Sequence, residues 1–226
     1  MLKLTKFDTR EALMQAAAQH LADALNEAIA RRGVACAALS GGGTPAPAYR
    51  ALAALPLEWS KITFALVDER FVPLSDTASN ENMIATTLSP AFAAGAQIKP
   101  MYFVADTVER AADFADVLYE HLHIDIALMG IGADGHTASW FPGSADAALD
   151  PASTRSVIAV HAPQAQGSTE RLTLTRKAVA RAGRLLVLIA GADKLARLEQ
   201  ALTQQDAPAA VLFAPGMPPA EVFWAA

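Results

Sequence analysis

The sequence contains one cysteine and no long apolar run, and each absence excludes a class of protein. No disulfide can form within the chain, and because Cys36 lies in the apolar segment 34–39, we expect a buried, unreactive thiol in a reducing compartment. No apolar run approaches the roughly 20 residues that a membrane span requires. Residues 1–10 are polar and charged, without the apolar region of a signal peptide. The sequence therefore predicts a cytoplasmic protein without a membrane partner.

Basic clusters and metal-ligand motifs are also missing. The net charge is −5 at pH 7 and the Lys and Arg residues form no cluster, which argues against a nucleic-acid partner. The sequence has no His-Glu-x-x-His or Cys-x-x-Cys pattern, and His121 and His123 are too few and too oddly spaced for a metal site. We therefore expect no metal, whereas a few local cations would suffice to bind a small anionic ligand.

Apolar segments alternate with helical patterns along almost all of the 226 residues. Alanine, the best helix former, supplies much of the hydrophobic content, and residues 9–32 carry apolar side chains at helical spacing. The segments predicted as strands span 34–39, 62–67, 101–104, 123–128, 156–160, 171–175 and 184–190. Segment 34–39 is continuously apolar, as expected when both faces of a sheet are covered. This alternation predicts one α/β domain over residues 1–226, with a mostly parallel sheet and helices on both faces.

Segment 129–143 is the most distinctive part of the chain. It follows the predicted strand 123–128 and contains three glycines, one acid and one histidine within seven residues. Glycines at the carboxyl end of a strand let the backbone turn sharply and approach a ligand closely. Open α/β sheets bind their ligands at this edge. Asp134 and His136, only two residues apart, are suited to proton transfer there.

Two alternative interpretations of this segment have to be weighed. The spacing Gly130-x-Gly132-x-x-Gly135 matches the dinucleotide-binding fingerprint, but that fingerprint opens a long helix, and here a proline and a glycine soon interrupt the segment. Asp134 would also place negative charge where the phosphates of a nucleotide lie. The second alternative is a structural turn with a solvent-exposed His136, and the rest of the chain shifts the balance away from it.

A second glycine-rich turn follows segment 34–39 and has the components of an anion cradle. Its glycines expose backbone N–H groups, its hydroxyls add donors, and Pro45 suits the first turn of a helix over about 45–54. It is not a P-loop, because no Gly-Lys-Ser/Thr follows. The alternative is a flexible loop, but the order of strand, turn and helix start favours a phosphate site. Its residues are Ser40, Gly41, Gly42, Gly43 and Thr44.

Charged residues lie at other predicted strand ends. Residues 68–70, Asp-Glu-Arg, either form a solvated strand end or reach into a ligand crevice. Lys194 falls in the first turn of a predicted helix, where the macrodipole disfavours a cation unless an anion lies between them. Because the ends of parallel strands share one edge, we expect these residues and Arg171 at one site. The residues alone predict an enzyme that acts on a small phosphorylated metabolite without a metal.

Six motifs together resemble a known family in matching order from about residue 40 to the C-terminus. They are Ser-Gly-Gly-Gly-Thr-Pro at 40–45, Asp-Glu-Arg-Phe-Val at 68–72, Asp-x-x-Ser-Asn at 76–80, Gly-x-Gly-x-Asp-Gly-His-Thr-Ala-Ser-Trp-Phe-Pro-Gly at 130–143, Arg-Leu-Thr-Leu-Thr at 171–175 and Gly-x-x-Lys at 191–194. The set resembles the 6-phosphogluconolactonases, whose wider family also holds glucosamine-6-phosphate deaminases. The most specific part is the run that begins at Asp134.

The resemblance implies hydrolysis of 6-phospho-D-glucono-1,5-lactone to 6-phosphogluconate in the oxidative pentose phosphate pathway. It also implies a Rossmann-like domain without a cofactor, and we expect a monomer or weak homo-oligomer. His136 would activate water, Asp134 would orient His136 or the water, and Arg70 would hold the lactone and offset the oxyanion. Asp68 would bind sugar hydroxyls. The phosphate would be held by Ser40, Gly41, Gly42, Gly43, Thr44, Arg171 and Lys194.

Two positions depart from the family pattern. Gly43 stands where a serine is common, so one hydroxyl donor is missing although the backbone N–H groups can still bind. Trp140 stands where leucine is usual, and we expect it to form a wall of the site or to pack beneath it.

Two other functions compete with the lactonase hypothesis. The deaminase branch is typified by an Asn-Glu-Pro continuation after the Asp-Gly-His turn, whose carboxylate assists ring opening. Here residues 139–142 are Ser-Trp-Phe-Pro and contain no acid, which favours the lactonase. A non-catalytic sugar-phosphate-binding module would need neither Asp134 nor His136, and it would usually bring a further domain for which the chain has no room.

Overall fold

The computed structural model describes residues 3–165 and 167–226, and a sheet of seven parallel strands forms its centre. The strands of the described residues are β1 (Lys3–Lys6), β2 (Ala35–Leu39), β3 (Ile62–Leu66), β4 (Asp68–Arg70), β5 (Gln97–Ile98), β6 (Ile126–Met129), β7 (Val157–His161), β8 (Glu170–Leu174), β9 (Arg184–Ala190) and β10 (Ala220–Ala225). The large sheet has the order β1-β10-β9-β6-β2-β3-β5. Its carboxyl edge is therefore built from the ends of several strands distant in sequence.

Helices flank this sheet. They are α1 (Arg10–Arg32), α2 (Ala46–Ala53), α3 (Asn80–Thr87), α4 (Ser89–Ala93), α5 (Val108–Tyr119), α6 (Asp146–Leu149), α7 (Arg176–Ala180) and α8 (Ala192–Gln204), with 3-10 turns at Trp59–Lys61 and Pro208–Phe213. The first helix begins where the Thr9 hydroxyl accepts a hydrogen bond from the amide of Ala12 at 3.1 Å. It ends at Gly33, whose φ of +79° is the left-handed conformation that glycine adopts without strain.

A second, smaller sheet adjoins the carboxyl edge of the large sheet. It is antiparallel, in the order β4-β8-β7. Val67 joins the two sheets, because its amide donates to Leu39 of the large sheet at 3.1 Å and its carbonyl accepts from Leu174 of the small sheet at 2.9 Å. The chain thus leaves β3, turns at Val67 and pairs as β4 with β8, where Arg70 lies opposite Arg171.

Two details of the sheet differ from the expectations. Strand β1 was not expected from the polar N-terminal residues, and it forms because it pairs with β10 at the sheet edge, where polar side chains face solvent. Segment 101–104 is not a strand. The backbone amide of Leu66 donates to the hydroxyl of Tyr119 at 3.1 Å, and that hydroxyl donates to the carbonyl of Lys99 at 2.8 Å, so a side chain replaces further strand pairing beyond the two residues of β5.

The predicted α/β fold with a mostly parallel sheet is confirmed. Cys36 is buried in β2 as expected, and burial raises the pKa of its thiol to about 12. Within the part of the chain that the structure describes, no helix combines the length and apolar character needed to cross a membrane.

Candidate active site

A cavity of about 390 Å³ opens at the carboxyl edge of the large sheet, between that sheet and the small one. Every residue predicted for the site lines this cavity except Asp134, whose carboxylate contacts the imidazole of His136. The lining comprises Ser40, Gly41, Gly42, Gly43, Thr44, Pro45, Asp68, Arg70, Asn80, Leu128, Gly130, Ile131, Gly132, His136, Ala138, Arg171, Leu188 and Lys194. Residues from at least five separate parts of the sequence therefore meet at one edge, as the strand order requires.

The turn between β2 and α2 forms one wall of the cavity. The hydroxyl of Tyr49, buried in α2, donates to the carbonyl of Ser40 at 2.7 Å and fixes the start of the turn. A Cβ added at Gly41 would lie 1.8 Å from Oδ1 of Asn80, so only glycine fits there. Gly42 has a φ of +95°. At Gly43 an added Cβ would meet no described atom within 4 Å beyond its chain neighbours, so this position tolerates a side chain.

Asp134 and His136 form a close pair at the opposite wall. Oδ1 of Asp134 lies 2.5 Å from Nδ1 of His136 and also accepts the His136 backbone N–H at 3.0 Å. Partial burial acts to raise the pKa of Asp134, but these hydrogen bonds from His136 outweigh it and lower that pKa. An ionised carboxylate only accepts, so it favours the tautomer of His136 with the proton on Nδ1 and the lone pair on Nε2.

The turn that holds this pair leaves no space for a side chain at Gly132. An added Cβ there would lie 2.1 Å from Cε1 of His136 and 2.8 Å from the Asp134 carboxylate. The amide of Gly132 also donates to the carbonyl of His136 at 2.9 Å, which closes the turn. Ala138, two residues further on, adopts a φ of +48°, a left-handed conformation at a residue that lines the cavity. The local backbone is shaped around the imidazole.

Phe141 is a functional candidate to which the sequence analysis gave no role. Its ring centroid lies 4.6 Å from that of His136, and the guanidinium of Arg171 lies 5.5 Å from the same ring. Phe141 therefore packs between the imidazole and a cation, and it limits the rotation of both side chains. Its position within the specific Asp-Gly-His motif was the available signal. The neighbouring Trp140 is fully buried and donates to the carbonyl of Leu174 at 2.7 Å, so it packs beneath the site, one of the two expected placements.

Asp68 lies at the centre of a buried polar network. Its carboxylate accepts from the Ser139 hydroxyl at 2.7 Å and from Nδ2 of Asn80 at 3.2 Å, and it lies 4.0 Å from the Arg171 guanidinium. Asn80 also donates to the Asp68 carbonyl at 2.9 Å. These contacts add Asn80 to the candidate site, although only its place in a motif marked it in the sequence. Binding of sugar hydroxyls by Asp68 stays a prediction.

Two cations complete the cavity. Arg70, at the end of β4, donates from Nη1 to the carbonyl of Ala78, while its buried Nε has no hydrogen-bond partner among the described residues. Lys194 lies in the first turn of α8, after Gly191, and faces the cavity without an ion pair among residues 3–165 and 167–226. The described residues contain no group of three or more His, Cys, Asp or Glu side chains that could hold a metal ion.

The fold and this edge define a class: an α/β protein with a glycine-rich turn, cations and an acid–histidine pair around one cavity. Within that class, the chain belongs to the glucosamine-6-phosphate isomerase/6-phosphogluconolactonase family, whose sequence model matches residues 8–224.

Relatives and solved structures cover nearly the whole chain. A 6-phosphogluconolactonase of Mesorhizobium japonicum is 41% identical over 97% of this chain and 93% of its own length, and one of Pseudomonas putida is 37% identical over 99% and 93%. The crystal structure of a 6-phosphogluconolactonase from Shewanella baltica superimposes with a TM-score of 0.93 at 31% identity, covering 100% of this chain and 98% of that one. A monomeric glucosamine-6-phosphate deaminase superimposes less well, with a TM-score of 0.78 at 25% identity over 99% and 97%.

Proposed function

We propose that this protein hydrolyses 6-phospho-D-glucono-1,5-lactone to 6-phosphogluconate, the lactonase step of the oxidative pentose phosphate pathway. The single observation that carries the proposal is that His136, paired with Asp134, lines the same cavity as the glycine-rich turn and three cationic side chains. The names of the similar proteins support the lactonase branch over the deaminase branch. The cytoplasmic location and the monomeric or weakly associated state belong to the same proposal.

Activation of water is the proposed role of His136. With its Nδ1 proton held by the ionised Asp134, the imidazole presents the Nε2 lone pair to a water molecule. The water attacks the lactone carbonyl as Nε2 takes one of its protons. A tetrahedral intermediate forms, with the negative charge on the former carbonyl oxygen. Phe141, stacked on the imidazole, keeps the ring in this orientation.

Collapse of the intermediate completes the reaction. The bond between the carbonyl carbon and the ring oxygen breaks, the ring oxygen takes the proton from the His136 imidazolium, and a carboxylic acid and a hydroxyl result. Arg70, which lines the cavity, is the proposed partner of the oxyanion, because a fixed cation in a partly buried site stabilises charge that develops there.

The phosphate of the substrate is the proposed ligand of the turn Ser40–Thr44 together with Lys194 and Arg171. The turn offers backbone N–H groups and two hydroxyls at the start of α2, and Lys194 supplies a cation near the N-terminus of α8. A phosphate at this place accounts for a lysine where the helix dipole alone disfavours one. The Ser-Trp-Phe continuation after the turn contributes no carboxylate, so this cavity lacks the acid that the deaminase interpretation requires there.

The test generates the lactone in situ and follows proton release at neutral pH for the wild type and for His136→Ala. Loss of a general base costs about two to four orders of magnitude in kcat. The matched control is His121→Ala, because His121 is exposed and lies outside the cavity. Wild-type acceleration that His136→Ala abolishes, with 6-phosphogluconate binding retained, supports the proposal. A wild type at the uncatalysed rate refutes the function, and a fully active His136→Ala refutes the assigned base.

A further inference from the structure

Glu69 is a fully buried acid that the proposed mechanism does not use. It lies in β4 between Asp68 and Arg70, which both line the cavity, but its own side chain is 0% exposed. Alternate residues of a strand point to opposite faces, so Glu69 faces away from its two neighbours. A buried carboxylate is costly unless donors compensate it, and its partners therefore indicate its role.

Four donors surround the Glu69 carboxylate. One oxygen accepts the backbone N–H groups of Arg70 and Asn80, each at 2.7 Å. The other accepts the backbone N–H of Glu81 at 2.7 Å and the Ser79 hydroxyl at 3.0 Å. Burial raises the pKa of Glu69, while these four hydrogen bonds act in the opposite direction. The carboxylate thus ties the end of β4 to the first turn of α3.

This tie closes the loop of residues 71–79, and that loop supports two residues of the cavity. The guanidinium of Arg70 donates to the carbonyl of Ala78, so its position depends on the path of the loop. Asn80 is held at its backbone by Glu69, donates to Asp68 through Nδ2, and packs with Oδ1 directly against Gly41. One buried carboxylate therefore orders two residues of the cavity. They are Arg70, the proposed partner of the oxyanion, and Asn80, which packs against the turn Ser40–Thr44.

We propose that Glu69 is a positioning residue that acts through Arg70: by fixing both ends of loop 71–79, it holds the Arg70 guanidinium where the oxyanion develops. The inference rests on the proposed function for the role of Arg70 in the reaction. We call the four hydrogen bonds of the Glu69 carboxylate the clamp. The proposal predicts a larger loss in kcat than in KM, because Arg70 is attached directly to the loop that the clamp closes, whereas the turn Ser40–Thr44 meets the clamp only through Asn80.

The first test is Glu69→Gln, which keeps the shape of the side chain but turns an NH₂ group toward two of the four donors. We expect kcat to fall about 10–100-fold with KM changed less than threefold, since misplacement of a catalytic group by about 1 Å costs about a hundredfold. The matched control is Glu120→Gln, which makes the same substitution at an exposed glutamate outside the cavity. We expect it to retain wild-type kcat at pH 8.

A double-mutant cycle distinguishes positioning from a general loss of structure. If Glu69 acts through Arg70, then Glu69→Gln has no further effect on kcat in an Arg70→Ala background, and the two substitutions are strongly non-additive. Additive effects in the cycle overturn the proposal. A rise in KM with unchanged kcat overturns it as well.

Amide hydrogen exchange makes the test independent of activity. In Glu69→Gln, the amides of Arg70, Asn80 and Glu81 lose protection, whereas those of the central strand β6 keep it. If the wild type proves inactive on the lactone, the proposed function fails, and the exchange measurement still decides whether the clamp exists. Unchanged protection at the three amides overturns the clamp whatever the activity.

Discussion

The two halves of the cavity are built by different physical means. The half proposed to bind the phosphate, residues 40–44 with Lys194, offers backbone N–H groups and a lysine that has no ion pair in the described part of the chain. The half proposed to hold the lactone, residues 68–70 and 134–136, relies on side chains fixed by specific contacts, since Asp134 holds His136 and Ser139 holds Asp68. An anion of variable orientation needs only donors and charge, whereas a reacting carbonyl needs groups held within a fraction of an ångström. Substitutions should therefore alter KM in the first half and kcat in the second.

After His136→Ala, the largest effect is expected from Asp134→Asn. The amide can donate its NH₂ to Nδ1 of His136, which places the proton on Nε2 and removes the lone pair that takes the proton from water. We expect kcat to fall about 10²–10³-fold, with KM within threefold of the wild type, because the base is disabled while the phosphate contacts remain. Steady-state kinetics on freshly generated lactone measure both constants. The exposed Asp8→Asn serves as a control, and a kcat loss below tenfold would remove Asp134 from the mechanism.

Lys194→Met tests the phosphate half directly. A hydrogen bond to a charged group contributes about 1.5–3 kcal/mol, which corresponds to a roughly 10–100-fold weaker Kd. Titration calorimetry with 6-phosphogluconate measures this loss, and the salt dependence of binding should also decrease. Lys61→Met, at an exposed lysine paired with Glu58, should leave the affinity unchanged. Equal affinities for Lys194→Met and the wild type would place the phosphate elsewhere.

Gly41→Ala sharpens the comparison because Gly41 is where the two halves touch. The new Cβ collides with Asn80, which Asp68 and Glu69 hold in place, so the anion-binding turn has to shift. We expect KM to rise about tenfold and the free energy of unfolding to fall by about 1–3 kcal/mol, as for other overpacked sites. Gly43→Ala is the comparison variant, with KM raised less than threefold, because a side chain fits there. The expectation fails if the two variants behave alike.

The smallest effect concerns Glu81 and pH. Burial, followed by the charge of Glu69, raises the pKa of Glu81 from 4.5 to about 7. The protonated acid is thus favoured by folding, and its stabilising contribution is complete below pH 4.5 and is lost as the pH rises to about 7. We expect Glu81→Gln to be more stable than the wild type at pH 8 by about 1–2 kcal/mol, a Tm rise of about 2–8 °C, and equally stable at pH 4.5. Thermal unfolding across this pH range tests it, and a pH-independent difference contradicts it.

Local features of the site could be predicted from the sequence, and contacts between distant segments could not. Asp134 and His136 are two residues apart in a turn that needs Gly132, so motif and geometry coincide. The contact of Phe141 with Arg171 depends on where β8 lies relative to the turn, which no local pattern records.

The sheet shows the same division between local and distant information. The alternation of strands and helices was sufficient for the α/β class and for most strands of the parallel sheet. The separate antiparallel sheet depends on the bend at Val67, whose hydrogen bonds reach Leu39 and Leu174. The predicted strand 101–104 does not form, because the hydroxyl of Tyr119 from α5 takes the place of strand pairing. Tertiary context, rather than propensity, decides such cases.

The Tyr119 hydroxyl that replaces strand pairing at β3 also bears on how the protein avoids aggregation. An open sheet edge offers a row of free backbone groups to which a strand of another molecule can add. At one edge of this sheet, the last strand is only two residues long and Tyr119 occupies the neighbouring donor of Leu66. At the other edge, β1 places Lys6 in solvent, where like charges on two copies repel each other. The two edges of the sheet thus resist edge-to-edge addition by different means. At one edge a tyrosine hydroxyl occupies a backbone donor, and at the other edge a positive charge faces solvent.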